Sequence, residues 1–172
     1  MSDPDWSPDG SRLVVVLDLQ PAQPSQPAST LAIVTLKDQQ VLNLPGSEDM
    51  RLPRWSPDGR YIAALRDSFS EMRLLDTSTH TWITVAQGKN LTYPVWSADG
   101  ADLYFQDLLA PGQPLFKFQI ATSLQTQVAS FQKALDTGIQ RCSFVGLSPD
   151  GAPIIAFDRS NSDIYGARLS LP

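Results

Sequence analysis

Any chemistry in this 172-residue chain must come from very few side chains. His80 is the single histidine and Cys142 the single cysteine. A Ser-His-Asp triad or a histidine-ligated metal would have to use His80. That residue ends Thr77-Ser78-Thr79-His80, whose composition is that of a hairpin turn. There is no G-x-S-x-G elbow, no Cys/His cluster at zinc spacing, no phosphate-cradling glycine motif and no EF-hand loop. No catalytic, cofactor-binding or metal-binding residue is therefore assigned, no cofactor is expected, and the chain is expected not to be an enzyme. One cysteine excludes an internal disulfide, and its apolar flanks predict a buried structural thiol.

The carboxylates carry a stronger pattern. Asp9, Asp58, Asp99 and Asp150 each precede a glycine, at intervals of 49, 41 and 51 residues. The surrounding pentapeptides are Trp6-Ser7-Pro8-Asp9-Gly10, Trp55-Ser56-Pro57-Asp58-Gly59, Trp96-Ser97-Ala98-Asp99-Gly100 and Leu147-Ser148-Pro149-Asp150-Gly151. A cation site would need such carboxylates to converge, whereas a tight turn needs only that they recur. Proline presets φ, aspartate accepts neighbouring backbone N–H groups, and glycine takes the left-handed conformation that sends the chain back antiparallel. Asp18, Asp67, Asp107 and Asp158 fall where second strands should end. Arg54, Arg66 and Arg73 fall in one unit, and as arginines they are candidates for a protein interface.

After each glycine comes an apolar run without alternation: Leu13 to Leu17, Tyr61 to Leu65, Leu103 to Phe105 and Ile154 to Phe157. Strands of that kind are covered on both faces. The expected strands are 3–7, 12–18, 30–36 and 40–44; then 50–55, 61–66, 71–76 and 81–86; then 91–96, 102–106, 114–120 and 126–130; and finally 142–147, 153–158 and 163–169. Residues 19–29, rich in Pro, Gln, Ser and Ala, form an exposed loop. Across 131–140, Leu124, Val128, Phe131 and Leu135 keep helical spacing. A short helix is open there, with loop plus strand preferred.

Three four-stranded units and one three-stranded unit on a repeat of this length define an all-β chain, a β-propeller of about four antiparallel blades. The blades span about 1–46, 47–88, 89–131 and 141–172 of a single domain, as part of a larger propeller. The pentapeptide, preceded by Asp3-Pro4-Asp5, Leu52-Pro53-Arg54 or Tyr93-Pro94-Val95, resembles the WD40-like repeat of TolB-type propellers. The resemblance covers essentially the whole chain. It implies structural roles: Trp6, Trp55 and Trp96 pack on a neighbouring sheet, Leu147 makes a smaller contact there, and Ala98 loosens the third turn. It also implies six or more blades in a complete ring. The ending Asn161-Ser162-Asp163-Ile164-Tyr165 to Pro172 resembles propellers that follow a winged-helix or kinase-like domain in some bacterial regulators. On that likeness the missing strand would come from chain upstream.

A net charge of −5 argues against nucleic-acid binding by this segment. No apolar run reaches the roughly 18–20 residues of a membrane helix, and Met1 to Asp5 lacks the features of a leader. The chain starts mid-pattern, as a piece of a larger protein would; a cytoplasmic place is favoured over a periplasmic one. The expected function is a non-enzymatic module that presents rim loops 19–29, 107–113 and 131–140 to a protein partner. It would be a sensory or docking part of a larger protein, with self-association possible through an open blade edge. The alternatives are the tail of a bacterial transcriptional regulator whose DNA-binding domain lies elsewhere, and an enzyme or sugar site in the central funnel.

Overall fold

The computed structural model describes residues 2–19, 23 and 26–159. The first sheet runs β1 (Ser2–Trp6), β2 (Arg12–Asp18), β3 (Ser29–Thr35) and β4 (Val41–Asn43). The second runs β5 (Met50–Trp55), β6 (Tyr61–Arg66), β7 (Glu71–Asp76) and β8 (Thr81–Gln87). The third has β9 (Val95–Trp96), β10 (Asp102–Gln106), β11 (Leu115–Gln119) and β12 (Leu124–Ala129). A one-turn helix α1 (Gln132–Leu135) leads to β13 (Arg141–Leu147) and β14 (Pro153–Asp158). Within each sheet neighbours in sequence are neighbours in space, all antiparallel. The four sheets are therefore successive meanders: three four-stranded, and one with two strands among the described residues.

Consecutive sheets hide each other's faces. In β6, Ile62 and Ala64 join Val14, Val16, Leu31, Ile33 and Trp55 in one core, between sheets one and two. The alternate residues Ala63 and Leu65 join Leu74, Leu103, Phe105 and Phe118 in another, between sheets two and three. That is why the run Ile62-Ala63-Ala64-Leu65 shows no alternation: both faces are dry.

The motif turns share a geometry that the sequence pattern did not fully specify. Glycines 10, 59, 100 and 151 have φ of 68°, 74°, 71° and 83°, the region where only glycine is unstrained. The serine proves to be the pivot. Ser7 Oγ accepts the Arg12 N–H (2.9 Å) and donates to Asp9 (2.6 Å), whose carboxylate also accepts the Ser11 N–H (3.0 Å). Ser56 and Ser97 repeat the first bond with the N–H of Tyr61 (2.8 Å) and of Asp102 (2.9 Å). Ser148 bonds Ala152, four residues on rather than five, so the fourth turn is one residue shorter. Turns also touch across sheets: a Cβ at Gly59 would lie 3.5 Å from Pro8, and one at Gly100 would lie 3.4 Å from Pro57. Ala98 removes the third of these prolines, and a Cβ at Gly151 would meet nothing within 4 Å.

Several expectations need correction. The inner strand of the third unit is two residues long, not six. Pro94 has no N–H for the ladder, and upstream the Thr92 hydroxyl takes the Gln106 N–H instead (3.0 Å). Residues 132–135 form one helical turn where loop plus strand was preferred, and Leu124 and Val128, despite their helical spacing, lie in β12. Ile154 and Phe157, expected to be covered, are 47% and 55% exposed. The strand expected at 163–169, and the ending at 161–172, lie outside the described residues.

Hydrogen bonds to the charged form hold Asp9 down at about 2, from an ordinary 3.8, first through Ser7 and then through Ser11. Asp99 and Asp150 are lowered in the same way, by Ser97 and Ser148. Each folded-state value lies below the unfolded one, so the stabilisation is complete above the ordinary carboxylate range and is lost as pH falls through the folded value. We predict a Tm independent of pH near neutrality that declines between about pH 4 and pH 2. Ser7→Ala should flatten part of that decline; an unchanged acid profile in this variant would refute the serine's role.

Candidate functional site at the loop end

Antiparallel meanders put the motif turns and the β3–β4 turns at one end. The β2–β3-type loops and the crossings between sheets lie at the other. At this loop end a cavity of about 590 Å³ opens among sheets two, three and four. Arg54 reaches it from β5, Phe69 from the β6–β7 loop, and Tyr93 from the segment before β9. Arg141, Phe144 and Val145 reach it from β13.

The lip between sheets two and three is fixed by a buried carboxylate. Asp107, 5% exposed, accepts the N–H groups of Lys89 (2.8 Å), Asn90 (3.0 Å) and Leu109 (3.2 Å). Gly88 makes this possible: a Cβ there would lie 2.6 Å from the Asp107 Oδ2. Asn90 and Leu91, held by this arrangement, line the cavity. Sheet four is held by another buried polar group. Gln106 donates to the Cys142 carbonyl (2.8 Å) and accepts the Phe144 N–H (2.8 Å), while Gln113 accepts the Cys142 N–H (2.8 Å). A fully buried side-chain amide thus pairs with β13 as a strand would. The Tyr104 and Phe144 rings add a tilted contact at 6.4 Å.

Arg54, Arg66 and Arg73 do not form one patch. Arg66 pairs with Glu71 (3.1 Å), and Arg73 lies 3.8 Å from the same carboxylate with its head over Trp82 and a bond to the Gly46 carbonyl (3.0 Å). Alternation of side chains along β5 to β7 leaves Arg54 elsewhere, over the Tyr93 ring at 5.5 Å. Arg66 and Arg73 are thus engaged within their own sheet and its neighbour, and Arg54 is the one at the cavity.

The motif residues lie at the opposite end. Trp55 is 5% exposed in the first intersheet core, with Arg12 stacked 5.1 Å over it. Trp96 stacks on Tyr61 (6.5 Å) and donates to the Arg54 carbonyl (3.2 Å). Both pack backward on the preceding sheet. Trp6 departs from this, at 58% exposed, because the one sheet packed broadly against its own is the sheet that follows. Leu147 is half-buried. Pro8, Pro57 and Pro149 border their turns. Asp58 accepts from Ser56 and from the Arg60 N–H (3.0 Å).

His80 is exposed in the β7–β8 turn with φ of 57°. Cys142 is buried, and burial pushes its thiol up. Among the described residues, no three His, Cys, Asp or Glu side chains gather to hold a metal ion. No helix among them is long and apolar enough to cross a membrane. Sequence reasoning missed Gln106, Tyr93 and Arg141, and placed Asp107 only as a strand end on the rim. Only Pro94, beside Tyr93, carried a signal, since it marks an interrupted inner strand.

No family model matches the chain, and no curated relative does. Solved structures do. TolB from Acinetobacter baumannii superposes with a TM-score of 0.64 at 16% identity, over 91% of this chain and 37% of that one. An oligogalacturonate lyase in complex with manganese gives 0.62 at 17%, over 76% and 41%. The β-propeller domain of the Trilobed protease from Pyrococcus furiosus gives 0.59 at 23%, over 76% and 43%. The chain thus spans about two fifths of the length of these proteins. Likeness of this kind defines the fold class: four sheets of a β-propeller that, among the described residues, do not close a ring. Within that class its sheets superpose on those of TolB.

Gln106→Leu should leave sheets one to three intact and loosen sheet four, because it strands the Cys142 carbonyl and the Phe144 N–H. The expected result is a rate of Cys142 modification by a soluble thiol reagent about tenfold or more higher in native buffer. Unchanged reactivity would show that Gln106 does not hold β13.

Proposed function

We propose that the chain is a non-enzymatic, TolB-like propeller module whose loop end binds a protein or peptide partner, as a sensory or docking part of a larger protein. The observation that carries this is the set of exposed large side chains at the cavity and its rim: Phe69 (38%), Tyr93 (53%), Leu109 (64%) and Val145 (59%). They sit with Arg54 and Arg141 around a concave floor. Aromatic and arginine side chains around a concave apolar site are the composition of binding hot spots. A catalytic use of the cavity finds less support, since among the described residues no Asp, Glu, His or Cys lines it for general acid–base work. Loop 107–113 contributes to this end through Leu108, at the cavity, and Leu109, whereas α1 buries no residue of its own.

The test is selection of binders to the intact chain from a random peptide library displayed on phage. Tyr93→Ala and Val145→Ser should each weaken selected peptides by about tenfold, and Lys37→Gln, at the motif end, should change nothing. Binders indifferent to both loop-end substitutions would overturn the proposal.

A further inference from the structure

We infer that the loop-end cavity is the seat of an acidic peptide segment, with Arg54 and Arg141 taking its carboxylates. This rests on the reading of the loop end as a binding surface. It starts from how guanidinium charge is disposed of elsewhere in the chain. Arg51 pairs with Asp67, Arg60 with Asp76 at 2.9 Å, and Arg66 with Glu71 at 3.1 Å. Each therefore carries a carboxylate, as expected in a chain of net charge −5. Arg12, stacked over Trp55, has no carboxylate within ion-pair distance among the described residues; nor have Arg54 and Arg141, and these two line the same cavity.

Arg54 is already aimed. Its head lies over the Tyr93 ring (5.5 Å), and one N–H is spent on the Pro53 carbonyl (2.7 Å). Ring and carbonyl restrict the guanidinium while leaving most of its donor fork unused. Arg141 stands on the first residue of β13 and is exposed. The strand that carries it is fixed by Gln106 and Gln113 one residue further on. Asp107, the acid next to cavity-lining Leu108, has its oxygens turned to three backbone N–H groups. Its charge is therefore engaged by the lip of the cavity.

The occupant follows from chemistry and size. Two guanidinium groups outside ion-pair distance of any carboxylate among the described residues, with Asp158 opposite Arg141 across the β13–β14 ladder, select carboxylates, which they bind in bidentate fashion. Phe69, Tyr93, Phe144 and Val145 give apolar and aromatic cover to neighbouring side chains. A volume of about 590 Å³ suits a few residues of an extended chain rather than a folded domain. A nucleic acid fits less well, since the rest of the molecule is acidic and would repel a long polyanion.

The same phage selection tests the inference when its winners are read for charge and remade as synthetic peptides. The winners should be enriched in Asp and Glu. Their affinity for the intact chain should fall as salt is raised. Arg54→Gln and Arg141→Gln should each weaken them about tenfold, while Lys37→Gln, an equal change in charge, should not. The exposed Arg141 makes its variant a safe one for folding, and the salt series needs no variant at all. Neutral or basic winners that bind regardless of Arg54 and Arg141, yet depend on Tyr93 and Val145, would overturn the acidic seat and leave the protein-binding surface standing. Displacement by inorganic phosphate as effective as by the peptide would also overturn it. Winners indifferent to Tyr93 and Val145 as well would overturn both.

Discussion

Burial of sheet against sheet is the constraint from which the remaining features follow. Leu65, Leu74, Leu103 and Phe105 are 0–2% exposed between sheets two and three, and each such side chain contributes about 1.5–3 kcal/mol relative to an exposed one. The two hydrogen bonds of Gln106 contribute about 1 kcal/mol each. The junctions between sheets one, two and three therefore rest on apolar area. The junction to sheet four rests on the side-chain amides of Gln106 and Gln113, one ring contact and the buried Cys142 and Phe144. The molecule is a stiff three-sheet body carrying a more lightly attached fourth sheet, and the cavity lies where the two meet.

This division explains the separation of the two ends. At the motif end, a serine-aspartate turn is built four times, the last one residue shorter, and the first three touch in succession through proline and glycine. Repetition there serves geometry. At the loop end a backbone bond recurs, from Asp67 to Asp49 and from Leu108 to Asn90, but among the described residues the side-chain contacts of Asp107 with Gly88, Gln106 with Gln113, and Arg54 with Tyr93 are each used once. Binding surfaces on a repeat scaffold arise in such unrepeated segments, because the shared turns leave them free to vary.

The legibility of the sequence followed the same line. Four Asp-Gly corners and the apolar runs after them revealed the strand order, and the boundaries of β2, β5, β6, β7, β10 and β14 match the expected ones. Those strands start at a fixed turn, run through a two-sided core, or both. The inner strand of the third sheet was overextended, because the cost of Pro94 depends on which of its neighbours must pair. The cover over β14 was overestimated, because an apolar run does not say whether a further sheet lies beside it. The site was largely illegible. Gln106 looks like any strand-ending glutamine until β13 arrives against it, 36 residues later in the chain. Of three arginines grouped by sequence, strand alternation sent two to one face and left Arg54 to meet Arg141 from another sheet.

Amide hydrogen exchange across the intact chain measures the central constraint most directly, because it ranks the sheets by how fully their faces are covered. The account predicts the slowest exchange in β6 and β7, which lie between two cores, with β13 and β14 at least tenfold faster. Equal protection of the second and fourth sheets, or fastest exchange in β6, would contradict it.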